Sequence, residues 1–137
     1  MLILIAKIEL ALIREALNVG PEDQSLWYYH QFLILNLAPP TPTTKTMAPG
    51  LSTAERATYI SLEIAAVKDL LEDYADIKWV FEALVECTLA LAQLEGRAPT
   101  AEEKVDLEAW VVQLRALDPM RRGRWDDLEK ELGLSKS

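Results

Sequence analysis

The chain has 137 residues, a length that fits one ordinary domain, and half of them are hydrophobic, so a buried core is possible. The 14 Lys and Arg residues against 22 Asp and Glu residues give a formal net charge of −8. Because an acidic chain is repelled by a phosphate backbone, this balance argues against nucleic-acid binding as the main role.

The first segment combines a short apolar start with a helical pattern. Residues 1–6 are apolar, but Lys7 and Glu9 interrupt the run well before the roughly 20 residues that a membrane span needs. No basic segment precedes the run and no clear cleavage site follows it, so we expect neither a membrane span nor an export signal. The apolar period over 2–18 predicts a first helix, which Gly20-Pro21 ends.

The segment 23–33 is unusually rich in aromatic residues and predicts a second helix over about 22–37. Asp23 or Ser25 can cap its N-terminus by accepting backbone N–H bonds. A face at helical spacing would carry Trp27, His30 and Ile34, widened by Phe32 and Leu33. Because exposing so many aromatic residues to water is unfavourable, we expect this face to be buried. We expect Trp27 to pack within the fold, with contact to another subunit as the alternative.

The next segments separate into a loop and further helices. Residues 38–50 contain four prolines and repeated threonines, which predicts an extended linker. Ser52 to Glu55 has the spacing of a capping box and predicts the start of a third helix. Asp73 or Asp76 is then expected to start a fourth helix, which is apolar around much of its circumference and ends near Gly96.

The C-terminal third predicts two more helices. Thr100 to Glu103 is a second capping box, and Asp118-Pro119 places a cap before a proline at the first position of a sixth helix that ends near Gly133. Short connections favour antiparallel pairs. The sequence therefore predicts a single all-α domain, an α-α superhelix (solenoid) of about three antiparallel hairpins. Their expected ranges are 2–37, 52–96 and 100–132.

Three motifs occur in the order of a known family. They are Asp23 to His30, Ala75 to Leu84, and Leu117 to Leu128. Together they resemble the C-terminal repeats of protein prenyltransferase α subunits, which are helical hairpins whose second helix carries Trp-x-x-Arg or a close variant. The third motif is most similar to the α subunit of Rab geranylgeranyltransferase (type II). The resemblance covers about Lys7 to Leu132 and implies a C-terminal fragment of a longer subunit.

The resemblance implies a scaffold within a heterodimer. A β subunit would hold the zinc and the isoprenoid pocket, and the pair would transfer geranylgeranyl from its diphosphate to C-terminal cysteines of Rab proteins. The late α repeats would help to dock the Rab escort protein. The family's α-side lysine belongs to an upstream repeat, and Gln24-Ser25 stand where an upstream repeat has Tyr-His. We therefore assign no catalytic residue and no cofactor to this chain.

The candidate partner-binding residues lie in the aromatic helix and in the only basic cluster of the chain. They are Gln24, Tyr29, His30, Arg121, Arg122 and Arg124. An intrahelical pair such as Arg122–Asp126 could account for part of that cluster. Trp79 and Trp110 are expected core residues, as is the single Cys87, which excludes an internal disulfide and fits a cytoplasmic location.

Two alternatives stay open on the sequence alone. The chain could be a non-enzymatic helical-repeat adaptor with an unrelated partner, or it could come from the α subunit shared by farnesyltransferase and type I geranylgeranyltransferase. One histidine and no spaced cysteines argue against a zinc site within the chain. The sequence also lacks a Gly-rich phosphate loop and a nucleophile elbow.

Overall fold

A computed structural model describes residues 2–37 and 52–133, and the predicted 38–50 linker lies outside these ranges. Within them the chain is all-α, as predicted, with no strand. The helices are α1 (Leu2–Val19), α2 (Gln24–Leu37), α3 (Thr53–Asp73), α4 (Lys78–Leu94), α5 (Ala101–Leu117) and α6 (Arg122–Leu132). A short 3-10 turn, Pro119–Arg121, precedes α6. No helix in the described residues is long and apolar enough to cross a membrane.

The helices pack as consecutive pairs. Helices α1 and α2, α3 and α4, and α5 and α6 contact each other within pairs, while α2 contacts α3 and α4, and α4 contacts α5. Neighbouring pairs thus share one continuous core, as in a helical-repeat array. Helix α4 contributes more buried residues to that core than any other helix, and it lies between its neighbours as its all-round apolar sequence predicted.

Both predicted capping boxes are confirmed. The Ser52 hydroxyl accepts from the Glu55 backbone N–H at 3.1 Å, and the Glu55 carboxylate accepts from the Ser52 N–H at 3.0 Å. Thr100 and Glu103 repeat the arrangement at 3.1 and 2.9 Å. Each box satisfies two backbone donors that the helix itself leaves unpaired.

Three predicted helix starts differ in detail. Helix α2 begins at Gln24 rather than near Glu22, and the Asp23 carboxylate accepts from the Ser25 N–H at 2.9 Å. Neither Asp73 nor Asp76 caps α4, because Asp73 is the last residue of α3 and the extended Ile77 precedes α4 with no side-chain cap. Asp118 makes no side-chain cap bond either, since its carboxylate accepts from Arg121 instead.

Trp27 in the first helix pair and Trp125 in the last form the same kind of hydrogen bond from the indole to the backbone. Trp27 is buried and its Nε1 donates to the Pro21 carbonyl at 2.6 Å, while the buried Trp125 donates to the Asp118 carbonyl at 3.0 Å. In both cases the ring covers the turn that leads into its own helix, and its N–H satisfies a backbone carbonyl in that turn. Trp27 is therefore a packing residue, as expected.

Other predicted core positions divide between buried and exposed. Trp110 and Leu33 are buried, but Phe32 lies largely at the surface and Trp79 is only half-buried. Phe32 stacks on Tyr29 outside the core, which is why it does not widen the buried stripe.

A buried polar cluster joins the first hairpin to the second. Glu63 of α3 is 1% exposed, and its Oε2 lies 3.0 Å from Nε2 of the equally buried His30 of α2. The Arg14 guanidinium of α1 donates to the other carboxylate oxygen. Burial alone would raise the pKa of Glu63, but its bonds to His30 and Arg14 outweigh burial and lower it. Three helices thus converge on one ionised carboxylate.

The outer face of α1 is apolar and exposed. The side chains of the apolar residues Leu2 to Ile5 lie outside the part of the chain that the structure describes. The same helix continues with Ile8 and Leu12, each about half exposed. Exposed aliphatic rows of this kind are typical of surfaces that associate.

Candidate partner-binding groove

Four of the six candidate partner residues lie together in one groove. Gln24 and His30 of α2, Arg121 of the 3-10 turn and Arg124 of α6 line an open groove of about 560 Å³ that α4 bounds between them. Gln24 and Arg124 are exposed at its edge, whereas His30 is buried beneath it. The fold thus brings the aromatic helix and the basic cluster together, although they are far apart in the sequence.

Helical spacing explains how the walls are built. Along α4, Lys78, Glu82 and Glu86 recur every four residues, so their side chains form one row that faces the groove. Arg121 and Arg124 are three residues apart and point toward that row. The spacing of Lys78, Glu82 and Glu86, each four residues apart, is the signal in the sequence that could have identified this row.

Ion pairs connect the basic cluster to the α4 row. Arg121 donates to both oxygens of Glu82, at 3.2 and 3.4 Å, and to Asp118 at 3.4 Å. Arg124 lies 3.7 Å from Glu82 and 3.8 Å from Glu86. These contacts hold the C-terminal turn and α6 against α4.

Glu86 has the most perturbed carboxyl group in the groove. Burial and the neighbouring Glu82 charge raise its pKa to about 7, while the charges of Arg124 and Arg121 oppose that rise. The side-chain amide of Gln31 donates to Glu86 Oε1 at 3.0 Å. Glu86 therefore changes charge near neutral pH while it stays linked to α2.

Aromatic rings form the other end of the groove. Tyr28 and Trp79 meet edge to face, with ring centroids 6.2 Å apart, and the Gln24 amide donates to the Tyr28 hydroxyl. The Lys78 ammonium lies 4.7 Å from the centroid of Trp79. Half-exposed aromatic rings beside charged groups are characteristic of protein interfaces, where aromatic residues and arginine are enriched.

Tyr29 and Arg122 lie outside the groove. The Tyr29 hydroxyl donates to Glu9 of α1 at 2.5 Å, and this hydrogen bond raises the pKa of Tyr29. Arg122 is exposed, and the predicted Arg122–Asp126 pair is wrong because Asp126 pairs with Arg115 of α5 at 2.7 Å. That arginine approaches from the neighbouring helix.

The surroundings of Cys87 disfavour the reactive thiolate form of its side chain. Cys87 is buried, and burial together with the charges of Glu63 and Glu86 raises the pKa of its thiol far above the ordinary value. A thiol held protonated in this way is a poor nucleophile. In 2–37 and 52–133, no group of three or more His, Cys, Asp and Glu could hold a metal ion.

The paired helices and the polar groove define a helical-repeat protein whose described features favour binding. No protein-family model matches the chain. It is 29% identical over 127 residues to the geranylgeranyl transferase type-2 subunit alpha of Schizosaccharomyces pombe, an alignment that covers 90% of this chain. The similarity to a prenyltransferase α subunit that the motifs indicate is therefore confirmed. The chain spans 36% of the length of that relative.

Proposed function

We propose that this chain is a scaffold portion of the α subunit of a type II (Rab) geranylgeranyltransferase and that it binds the catalytic β subunit. The observation that carries this proposal is the alignment with the fission-yeast α subunit, which extends over 127 residues and thus across more than one hairpin. The paired helices around a shared core support it, because a repeat array presents long surfaces to large partners.

In this proposal the chemistry belongs to the β subunit. That subunit would supply the zinc and the isoprenoid pocket, and the heterodimer would transfer geranylgeranyl from its diphosphate to C-terminal cysteines of Rab proteins. This chain would contribute no cofactor and no nucleophile. Its buried Cys87, with a raised pKa, is consistent with that division of labour.

The groove between α2, α4 and α6 is the proposed docking site for the Rab escort protein. Its mixture of arginines, carboxylates and half-exposed aromatic rings suits a partner that binds and leaves, because non-obligate interfaces are about as polar as ordinary protein surface. A cytoplasmic location would follow from that partner and its Rab substrate.

Co-expression tests the proposal. The tagged chain is co-expressed with the fission-yeast type-2 β subunit, and the full-length α subunit and the farnesyltransferase β subunit serve as positive and specificity controls. We expect the chain to retain the type-2 β subunit at equal stoichiometry and to show no prenyl transfer by itself. Circular dichroism of the purified chain verifies that a negative result does not come from an unfolded protein.

Each alternative has its own outcome in that experiment. Preferential retention of the farnesyltransferase β subunit would point to the shared α subunit. Failure of the folded chain to retain either β subunit would contradict the proposal and favour an adaptor with an unrelated partner.

A further inference from the structure

Charges in the groove are layered, with the cations outside and the carboxylates beneath. The side chains of Arg124 and Arg121 are 49% and 38% exposed, whereas those of Glu82 and Glu86 are 15% and 25% exposed. A partner that approaches the groove therefore meets guanidinium groups first. This is a local basic surface on a chain with a net charge of −8.

Among the three cations that line the groove, Lys78, Arg121 and Arg124, the last makes the longest and therefore weakest ion pairs. Its contacts with Glu82 and Glu86 are 3.7 and 3.8 Å long, which is beyond hydrogen-bond distance, and its guanidinium lies 5.6 Å from the Trp125 ring centroid. Arg121, by contrast, already donates to two carboxylates. A guanidinium held over an aromatic ring is positioned to pair with a carboxylate from outside.

We propose that this groove binds an acidic peptide segment of a partner through Arg124 and Arg121, and that Glu86 takes up a proton when the segment binds. The proposal deepens the docking role given above and rests on it for the existence of the partner. The charged groups that face Glu86 are Glu82 on the same helix, Arg121 in the 3-10 turn and Arg124 on α6. Helix α2 contributes the neutral Gln31 and the titratable His30, which lines the same groove and is hydrogen-bonded to Glu63.

Proton uptake by Glu86 follows from the position of this carboxylate beneath the two arginines. Ionised Glu86 attracts Arg124 inward and competes with the carboxylates of the peptide. Because the pKa of Glu86 is about 7, protonating this carboxylate costs little free energy near neutral pH. A bound anion nearby raises that pKa further. Binding of an acidic segment should therefore strengthen as pH falls from about 8 to about 6, where the carboxylates of the peptide stay ionised.

The test uses fluorescence anisotropy with a rhodamine-labelled peptide of Glu and Ser, and the corresponding Gln and Ser peptide is the control probe. We expect the Glu peptide to bind more tightly at low salt and low pH, and the Gln peptide to bind weakly at any pH. Arg124→Ala should weaken binding by about fivefold. The exposed Arg122→Ala, which removes the same charge outside the groove, should change it by less than about twofold.

Glu86→Gln mimics the protonated carboxyl group. It should tighten binding of the Glu peptide by about three- to tenfold near pH 8 and flatten the pH dependence. Glu102→Gln on the exposed first turn of α5 is the matched control and should leave the affinity and its pH dependence unchanged. Titration calorimetry in two buffers of different ionisation enthalpy should show net proton uptake in the unmodified chain and much less in Glu86→Gln.

Equal affinity for the Glu and Gln peptides, or an unchanged pH dependence in a folded Glu86→Gln variant, would overturn the proposal. Circular dichroism confirms folding of each variant, and calorimetry of the unmodified chain decides the question if a variant unfolds. Retention of the β subunit by the unmodified chain is measured separately. If the β subunit is retained but no acidic peptide binds, only the groove proposal fails.

Discussion

Replacing Glu63 with Leu removes the carboxylate on which α1, α2 and α3 converge. The loss leaves the buried His30 N–H without an acceptor, which costs about 1–3 kcal/mol. The Arg14 side chain is partly exposed and can be hydrated in the variant, so losing its ion pair with Glu63 costs about 1 kcal/mol of stability or less. Together these losses lower the free energy of unfolding by about 1–4 kcal/mol, and the upper end is a large part of the total for one domain.

Thermal unfolding followed by circular dichroism measures this change. At about 4 °C per kcal/mol for a chain of this size, Glu63→Leu should lower Tm by about 4–16 °C at neutral pH. Glu72→Leu, at an exposed position of the same helix, is the matched control and should shift Tm by no more than about 2 °C.

Acid should reduce the difference between Glu63→Leu and the unmodified chain. The folded-state pKa of Glu63 is lowered below 4.5, so its contribution to stability is fully present above that pH and is lost as pH falls through the folded pKa. The double variant Glu63→Leu, His30→Leu should recover about 1 kcal/mol or more, because both buried polar partners are then removed. A Glu63→Leu variant as stable as the unmodified chain at neutral pH would refute this account of the cluster.

Three further predictions concern the helix ends and the exposed face of α1. Trp125→Phe should lower the free energy of unfolding by about 1–2 kcal/mol in urea titration, since it deletes the bond to the Asp118 carbonyl, and an unchanged midpoint would contradict that role. Thr100→Ala should cost about 1 kcal/mol by the same measurement, with Thr100→Ser nearly neutral. The isolated chain should self-associate in light scattering, and Leu12→Glu should reduce association whereas Leu62→Glu on α3 should not. A monodisperse monomer would contradict the last prediction.

The sequence was sufficient for features whose cause is local. Both capping boxes could be predicted because the cap and its partner lie within three residues of each other. Asp118 was misassigned because a cap motif does not reveal that Arg121 will take the carboxylate. The start of α4 was missed for a related reason, since Ile77 leads into that helix without any side-chain cap.

The site was predicted less completely than the fold. Gln24, Arg121 and Arg124 were identified as candidates, yet nothing in the sequence placed them in one groove. Their meeting depends on packing between hairpins, such as the contact of Arg121 with Glu82, 39 residues apart. Glu86 was missed because its pKa of about 7 arises mainly from burial, which the charges along α4 do not indicate.

Exchange of the matching region tests the central claim, a scaffold role in a prenyltransferase α subunit, most directly. The aligned part of the fission-yeast α subunit is replaced by this chain, and prenyl transfer to a Rab protein is measured with the β subunit and escort protein present. The account predicts that the hybrid assembles with the β subunit and retains transfer, whereas a hybrid carrying an unrelated helical-repeat segment of equal length does not. A folded hybrid that binds no β subunit and transfers no prenyl group would contradict the account.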